Sequence, residues 1–246
     1  MIELMRSHRS IRKFKPDPIP DEMVEEIIGA AQWASSSHFG QIYSVITVKD
    51  QETKHELWRL CSEQKWIEEC PLFLVFCADM NRAEEICKQY DQRVNLDYLE
   101  TFLTAVLDVG LLMQNVALAA ESIGLGIVMI GGLRNYPREI VRLFNLPKGV
   151  FGVCGMCLGY PAKKSRQRPR LPIDEILHRE VYNPERRLDR LAIYDGVIKA
   201  AGFYKHADGS PRGWTERIAG YSSKPPASGD RMRLKSVLKE QGFGLK

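Results

Sequence analysis

The chain has 246 residues, 44% of them hydrophobic and 27% charged, and its formal net charge is only +4. It is long enough for one well-filled core, with or without an appendage, and too apolar to be intrinsically disordered. The first residues turn basic before an apolar run develops, and polar side chains interrupt the longest apolar region, Thr101 to Ile130, so we expect a cytoplasmic protein that does not span a membrane.

Apolar patterning predicts helices and strands in alternation along most of the chain. A short helix is expected over residues 1–14, with Ile2 and Met5 facing inward. It precedes a helix that Asp21 would cap and that ends at a serine run. The polar residues 82–97 predict a mobile segment. The expected strands are "YSVITV", "PLFLVFCA", "GIVMI" and "FGVCGMCLGY". Further helices are expected at about Glu52–Cys61, Leu99–Ile123, from Pro137, about Glu185–Ala201 and about Arg231–Gln241.

Four strands with helices between and around them indicate an α+β fold. We expect a single domain over residues 1–246, in which residues 163–246 form a basic C-terminal extension. That extension has little apolar content of its own, so it is expected to wrap over the domain or over a partner subunit. From Pro161 to Lys246 there are 19 Lys and Arg against 10 Asp and Glu, which suggests an anionic ligand or partner there.

The cysteines do not predict a redox or metal pair. Cys154 and Cys157 lie three apart on an expected strand, so their side chains should point to opposite faces. The five histidines are scattered, without the spacing of metal ligands. The sequence contains neither a P-loop nor a nucleophile elbow. Gly124 and Gly126 do not form a dinucleotide fingerprint, because they precede a strand, whereas that motif follows a strand and begins a helix.

Three stretches could bind an anion or a flat ligand. The guanidinium groups and hydroxyl of "HRSIR" suit a phosphate monoester, although a solvated basic turn has the same composition. The two glycines of "IGGLR" follow a buried strand and allow close approach of backbone N–H groups, as a plain tight turn also would. "RQRPRLP" places Arg168 and Arg170 around a proline, and could equally be a solvated loop.

The order of these stretches resembles one family. "HRSIR" near residue 10, "SSS" after the second helix, "EQK" near residue 64, "AAESIGLG…IGGLRN" and "RPRLP" together are similar to the flavin-dependent nitroreductase family. The resemblance is to its subgroup of oxygen-insensitive NADPH nitroreductases and NADPH:FMN oxidoreductases, the flavin reductase P type. It runs from Ile2 to about Tyr182 and more loosely to the end of the chain.

The resemblance implies a homodimer with a central mixed, mostly antiparallel sheet flanked by helices, and FMN sites at the subunit interface. The FMN-binding residues would be His8, Arg9, Ser10, Arg12, Ser35, Ser36, Ser37, Gln64, Ile130, Gly131, Gly132, Leu133, Arg168 and Arg170. The serines are expected to come from the other subunit. No metal is implied.

Each part of FMN has its expected partners in this scheme. Arg9, Ser10, Arg168 and Arg170 would hold the phosphate, with His8 at the same end; the subgroup usually has Lys where this chain has Arg168. Arg12 would face flavin N1 and O2, where a cation stabilises reduced flavin. Gln64 would bond the N3/O4 edge.

The backbone N–H of Gly131 or Gly132 would donate to flavin N5, so the resemblance implies that no side chain acts as a general acid. The implied reaction is ping-pong: NAD(P)H reduces FMN, and a nitroaromatic, quinone or free flavin then accepts two electrons. Arg212, with Lys205, would hold the 2′-phosphate of NADPH, and NADH could also serve.

Three other functions stay open at this point. A flavin reductase that feeds reduced FMN to a partner oxygenase would share every residue above. A flavin sensor would bind FMN without turnover. A nucleic-acid-binding protein would use the basic C-terminal part, but "KKSRQRPR" contains no aromatic residue, so we expect no nucleic acid among the partners.

Overall fold

A computed structural model describes residues 1–163, 165–226 and 229–246. The chain divides into two compact units. The first, which we call the sheet unit, comprises Met1–Arg166 and Ser228–Lys246. The second, the helical unit, comprises Gln167–Ala227. The end of the chain therefore returns to the unit in which the chain begins.

The sheet unit is built on four strands, β1 (Tyr43–Val48), β2 (Leu72–Asp79), β3 (Gly126–Ile130) and β4 (Val150–Gly159). Their order is β1-β2-β4-β3, and all three pairings are antiparallel. The two central strands are the most apolar runs, because both of their faces are covered. All four strands lie where the apolar runs predicted them.

Alternation along β2 divides the interior into two clusters. Leu74 and Phe76 point into a cluster with helices α2 (Asp21–Ala31) and α6 (Leu99–Ser122), while Phe73 and Val75 point into a cluster on the other face. Cys157 belongs to the second cluster and Cys154 packs against the first. The prediction that these two thiols face apart is confirmed.

Helix α6 is the central helix of the sheet unit. Its length and apolar composition would allow it to cross a membrane, but a line of its residues, including Ala105, Val109 and Val116, is fully buried in the sheet unit. A core helix of a folded unit satisfies the same criteria as a membrane span. Its opposite side carries several exposed leucines.

Shorter helices complete the sheet unit. They are α1 (Ile2–Ser7), α3 (Gln51–Leu60), α4 (Trp66–Glu69), α5 (Asn81–Gln89), α7 (Pro137–Leu143) and α10 (Leu234–Glu240). Short 3-10 helices span Ser37–Phe39, Gly131–Arg134 and Arg231–Arg233. After α10, the buried Gln241 donates from Nε2 to the carbonyls of Val150, at 2.8 Å, and Pro147, at 3.0 Å. These bonds attach the chain end to the start of β4.

The helical unit contains α8 (Arg187–Ala201), α9 (Trp214–Ser222) and a 3-10 turn at Ile173–Glu175. The carboxylate of Asp195 accepts from the N–H of Thr215 at 2.9 Å and so joins α8 to the start of α9. Glu175 accepts from Nε of Arg187, at 3.1 Å, and of Arg190, at 2.5 Å. Polar contacts thus tie together a unit whose apolar core is small.

Several local predictions were wrong. No helix was predicted within the polar residues 82–97, but α5 covers Asn81–Gln89; its amphipathic pattern is short and mostly polar. Asp21 is the first residue of α2 and not its cap, because Pro20 precedes it in an extended conformation. Ile2 and Met5 are at least half exposed. Helix α9 was not predicted, since Gly, Pro and Ser surround it.

Candidate functional site

The N-terminal basic segment is held against the edge of the sheet by backbone hydrogen bonds. The N–H of the buried Ile11 donates to the carbonyl of Ile127 in β3 at 2.8 Å. Beyond it, Lys15 N–H donates to Tyr160 O at 2.8 Å. Ile11 fills the space above Gly126, where a Cβ would lie 2.9 Å from the Cβ of Ile11. The residues on either side of Ile11 are therefore fixed next to β3.

Three of the predicted phosphate-end residues lie in this segment. His8 Nδ1 lies 2.6 Å from Oε1 of Glu121, near the end of α6. Arg9 Nε donates to the carbonyl of Ser7 at 3.1 Å, and Ser10 follows before the buried Ile11. Because Glu121 occupies one nitrogen of His8, the guanidinium of Arg9 is the stronger anion-binding group of this segment.

Arg12 and Gln64 are the two side chains of the sheet unit that were predicted to meet the flavin ring. The guanidinium of Arg12 lies over the ring of Trp66, 5.4 Å from its centroid, so an aromatic face limits where this cation can go. Gln64 Nε2 donates to the carbonyl of Cys61 at 2.7 Å. A primary amide has two N–H groups and an acceptor oxygen, so this bond leaves capacity for a ligand.

Gly131 and Gly132 begin the 3-10 helix that follows β3. A Cβ on Gly132 would lie 3.0 Å from Gln64 Nε2 and 3.1 Å from the Cα of Cys61. The structure therefore brings Gln64 and Gly132 into direct contact. Ile130 and Leu133, on either side, are buried and anchor the turn. The first N–H groups of a helix have no acceptor inside it, so the N–H groups at the start of this turn can donate to a group outside it.

Two arginines that the sequence did not indicate surround the glycine turn. Arg134 Nη1 donates to the carbonyl of Val153 at 2.5 Å. Arg231, from the returning chain end, donates through Nη2 to the carbonyl of Gly131. Burial, followed by the neighbouring Cys154 thiol, raises the pKa of the Cys61 thiol beside this turn to about 12. Cys61 is thus a neutral thiol and not a nucleophile at neutral pH.

The serine run forms the turn that ends α2. The N–H of Ser37 donates to Oδ1 of Asp108 at 3.0 Å, and Ser36 Oγ accepts from the N–H of Gln41 at 3.2 Å. Ser35 is exposed. Asp108 is buried in α6, and its Oδ2 has no hydrogen-bond partner within residues 1–163, 165–226 and 229–246. A lone carboxylate in an apolar helix was the signal that could have identified Asp108 as the anchor of this turn.

In the helical unit, Arg168 and Arg170 line a cavity of about 530 Å³ whose other walls are largely apolar. Arg168 Nη1 donates to the hydroxyl of Tyr204 at 2.6 Å, and its guanidinium lies 5.2 Å from the ring centroid of Phe203. Arg170 Nη1 donates to the carbonyl of Arg168 at 2.9 Å. Arg168 is therefore held by aromatic neighbours, which suits a planar guanidinium better than an ammonium.

Lys205 and Arg212 lie on one small loop of the helical unit. Lys205 and Pro211 pair through their backbones in an isolated antiparallel β-bridge, and the N–H of Arg212 donates to Tyr204 O at 3.0 Å. Arg212 Nε lies 3.3 Å from Oε1 of Glu216. The backbone segments that carry the two cations are thus adjacent, and Glu216 orients the guanidinium of Arg212.

The donor set fits a phosphorylated flat heterocycle. Guanidinium groups suit a phosphate, and an amide beside a glycine turn suits the polar edge of a ring that approaches the backbone closely. Among the residues that the structure describes, no group of three or more His, Cys, Asp and Glu could hold a metal ion.

The chain is similar to known proteins along its whole length. The chain matches the Nitroreductase family over residues 5–160 and the C-terminal domain of the Nitroreductase family over residues 168–246. It is 38% identical over 244 residues to a Cr(VI) reductase of Pseudomonas sp. (strain G-1), covering 99% of each chain. It is 42% identical over 219 residues to the oxygen-insensitive NADPH nitroreductase of Salmonella typhimurium, covering 88% of each.

A solved structure gives the same result for the fold. NADPH:FMN oxidoreductase from Vibrio harveyi, complexed with NAD+, matches with a TM-score of 0.89 at 35% sequence identity, covering 100% of this chain and 99% of that one. The predicted α+β, nitroreductase-like fold is confirmed. This chain therefore belongs to the nitroreductase family, because the family matches cover both parts of the chain and relatives above 30% identity cover most of its length.

Proposed function

We propose that the chain is an FMN-dependent NAD(P)H oxidoreductase that reduces nitroaromatics, quinones or free flavin by a ping-pong reaction. The observation that carries this proposal is the contact between Gly132, at the start of a 3-10 helix, and the amide of Gln64. It creates a surface of backbone and amide donors that a flat ring can approach closely. The relatives named NADPH nitroreductase and NADPH:FMN oxidoreductase support the same cofactor and donor.

FMN, when bound, would supply the redox chemistry by accepting a hydride at N5 and passing two electrons on. In this proposal the backbone N–H of Gly131 or Gly132 donates a hydrogen bond at N5, and Gln64 bonds the N3/O4 edge. Arg12 places a positive charge near N1 and O2, where it stabilises the reduced form. Trp66 restricts the guanidinium of Arg12 to one side.

In the sheet unit, Arg9 and Ser10 would hold the phosphate of FMN. In the helical unit, Arg168 and Arg170 would bind an anion. Charge-assisted bonds from guanidinium groups are the strong contacts to a phosphate. His8 lines the same end and is oriented by Glu121. Because Tyr204 and Phe203 hold Arg168 in place, this residue loses little side-chain freedom when an anion binds.

Electron donors would bind through the loop of the helical unit that carries Lys205 and Arg212. Replacing Arg212 by Gln should raise KM for NADPH about tenfold, as expected for the loss of one charge-assisted contact, and should leave KM for NADH nearly unchanged. Arg217→Gln removes a neighbouring cation and is the matched control. Equal changes of KM for both nucleotides would contradict the assignment of Arg212.

The proposed form is a cytoplasmic homodimer. Leu99, Leu103, Leu107 and Leu111 recur every four residues along α6 and are between 48% and 63% exposed. A continuous apolar line on a helix surface is typical of an interface. We propose that a second copy covers it and that the turn at Ser35–Ser37, which Asp108 holds against α6, reaches the FMN site of that copy. Leu103→Lys with Leu107→Lys should give a monomer in analytical ultracentrifugation.

An anaerobic stopped-flow experiment tests the function. Purified protein reconstituted with FMN is mixed with NADPH, or with NADH, while the visible absorbance of oxidised flavin is followed. We expect fast bleaching of the flavin absorbance that a quinone or a nitroaromatic reverses. In separate steady-state assays, double-reciprocal plots of the initial rate should be parallel when both substrates are varied. Bound FMN that neither nucleotide reduces would indicate a sensor. Failure to bind FMN would overturn the proposal.

The supply of reduced FMN to a partner oxygenase is a second candidate, because the similar Vibrio harveyi protein is an NADPH:FMN oxidoreductase. It would use the same residues. Free FMN would then have a higher kcat/KM as acceptor than any quinone or nitroaromatic tested. The same enzyme preparation can be assayed with all three acceptor classes under equal conditions.

A further inference from the structure

The returning chain end docks on the turn that carries the two glycines. The N–H of Asp230 donates to the carbonyl of Asn135 at 2.6 Å. Gly229 has a φ of +58°, and a Cβ there would lie 2.9 Å from Cζ of Tyr136. Only glycine fits this approach without strain. Residues 229–231 are thus closely fitted to residues 131–136, although about a hundred positions separate them.

Arg231 extends this contact to the first glycine of the turn. Its Nη2 donates to the carbonyl oxygen of Gly131. That carbonyl and the N–H of Gly132 belong to the same peptide group, which is planar and holds the two bonds in opposite directions. A cation bound to the carbonyl therefore fixes the direction of the N–H and also polarises it, because hydrogen bonds on the two ends of one amide strengthen each other.

The other guanidinium near the turn acts elsewhere. Arg134 Nη2 would lie 3.6 Å from a Cβ on Gly131, but its Nη1 donates to the carbonyl of Val153 in β4. Arg233, two positions after Arg231, has a side chain that is 70% exposed, with Nη1 3.9 Å from Oδ1 of Asp230. Arg231 is thus distinguished from both neighbours by its bond to the glycine peptide.

We propose that Arg231 is a positioning residue for the redox reaction, which orients and polarises the Gly131–Gly132 peptide so that the Gly132 N–H is a strong donor to flavin N5. This proposal rests on the proposed function. Its consequence is that a residue of the chain end sets the reduction potential of the cofactor through the backbone of a distant turn. The bond at N5 favours oxidised FMN, in which N5 is an acceptor, whereas the positive charge of Arg231 favours reduced FMN. We expect the charge to decide the sign of the change in potential.

The test compares Arg231→Gln with Arg231→Lys and with the exposed control Arg233→Gln. The readouts are the two-electron potential of bound FMN, measured by equilibration with a reference dye, and the dissociation constant of oxidised FMN. Arg231→Gln should weaken binding of reduced relative to oxidised FMN about tenfold, which is about 30 mV toward more negative potential. Arg231→Lys, which keeps a charged donor, should recover most of this shift.

The control separates the local effect from long-range electrostatics. Arg233→Gln removes the same charge from the same segment and should shift the potential by less than a third of that amount. An Arg231→Gln potential equal to wild type, or equal to that of Arg233→Gln, would overturn the role of Arg231 while leaving the proposed function in place. If the wild type binds no FMN, the proposed function fails and this proposal fails with it.

Discussion

A methyl group at position 132 tests how closely the glycine turn is packed. In Gly132→Ala the new Cβ would meet Gln64 Nε2 at 3.0 Å and both Cα and Cβ of Cys61 at 3.1 Å. These neighbours have little room to move. Cys61 is fully buried at the end of α3, and the Gln64 amide is bonded to the Cys61 carbonyl at 2.7 Å. The turn must therefore shift by a few tenths of an ångström.

The expected cost follows from overpacking, which typically destabilises by about 1–3 kcal/mol. Since only one methyl is added, we expect a loss of about 1–2 kcal/mol for Gly132→Ala. Gly131→Ala is the matched control, because the nearest atoms to its Cβ would be arginine nitrogens at 3.6 Å and 3.9 Å. Its free energy of unfolding should stay within about 0.5 kcal/mol of wild type.

The measurement is urea unfolding of the FMN-free protein at one fixed protein concentration, so that any subunit dissociation contributes equally to each variant. The midpoint should fall for Gly132→Ala with an unchanged denaturant slope. FMN affinity should fall about tenfold as well, because the turn that we propose to face the flavin ring has moved. Equal midpoints for the two alanine variants would refute the packing that we describe.

Three further predictions concern other parts of the chain. Gln241→Leu removes the donor for buried carbonyls at the start of β4 and should cost about 2 kcal/mol in urea unfolding; a cost below about 0.5 kcal/mol would contradict this. Because burial raises the pKa of Cys61 to about 12 and Cys87 is partly exposed, a thiol reagent at pH 8 should label Cys87 first, and Cys87→Ser should remove the fastest phase. The hydrogen bond from Arg190 lowers the pKa of Glu175 in the folded protein. The stability that ionised Glu175 contributes is therefore complete above its unfolded-state pKa of about 4.3 and is lost as pH falls through the lower folded-state pKa. Glu175→Gln should flatten that part of the curve of unfolding free energy against pH.

The strands were predictable because their signal is local. β2 is buried along nearly its whole length, and such a strand must be apolar at every position. Helix α5 was not, since its apolar residues are few and none of its residues is buried. The ends of helices were harder to predict for a related reason: α2 ends at Ala31, although the apolar Trp33 and Ala34 follow Gln32. The packing of the residues at a helix end, and not their composition, decides where the helix ends.

The site was predictable only in part, for a different reason. Arg9, Arg12, Gln64 and the two glycines were identified by resemblance to a family, and their roles toward FMN stay predictions. Arg231 carried no signal in the sequence, because an arginine in a basic chain end is typical of a solvated surface. The prediction of a single domain with a basic C-terminal extension likewise did not indicate that residues 229–246 return to the sheet unit.

Three contacts of the candidate site share one property that explains this difference. Ile11 reaches the carbonyl of Ile127, the Gln64 amide lies against Gly132, and Arg231 binds the carbonyl of Gly131. Each of these contacts is made to the backbone of β3 or of the turn that follows it. Backbone groups are the same at every position, so a sequence shows the side chain that makes such a contact but not its target. The edge strand thus serves as the common frame on which three distant segments place their polar groups, and a small displacement of β3 would disturb all three together.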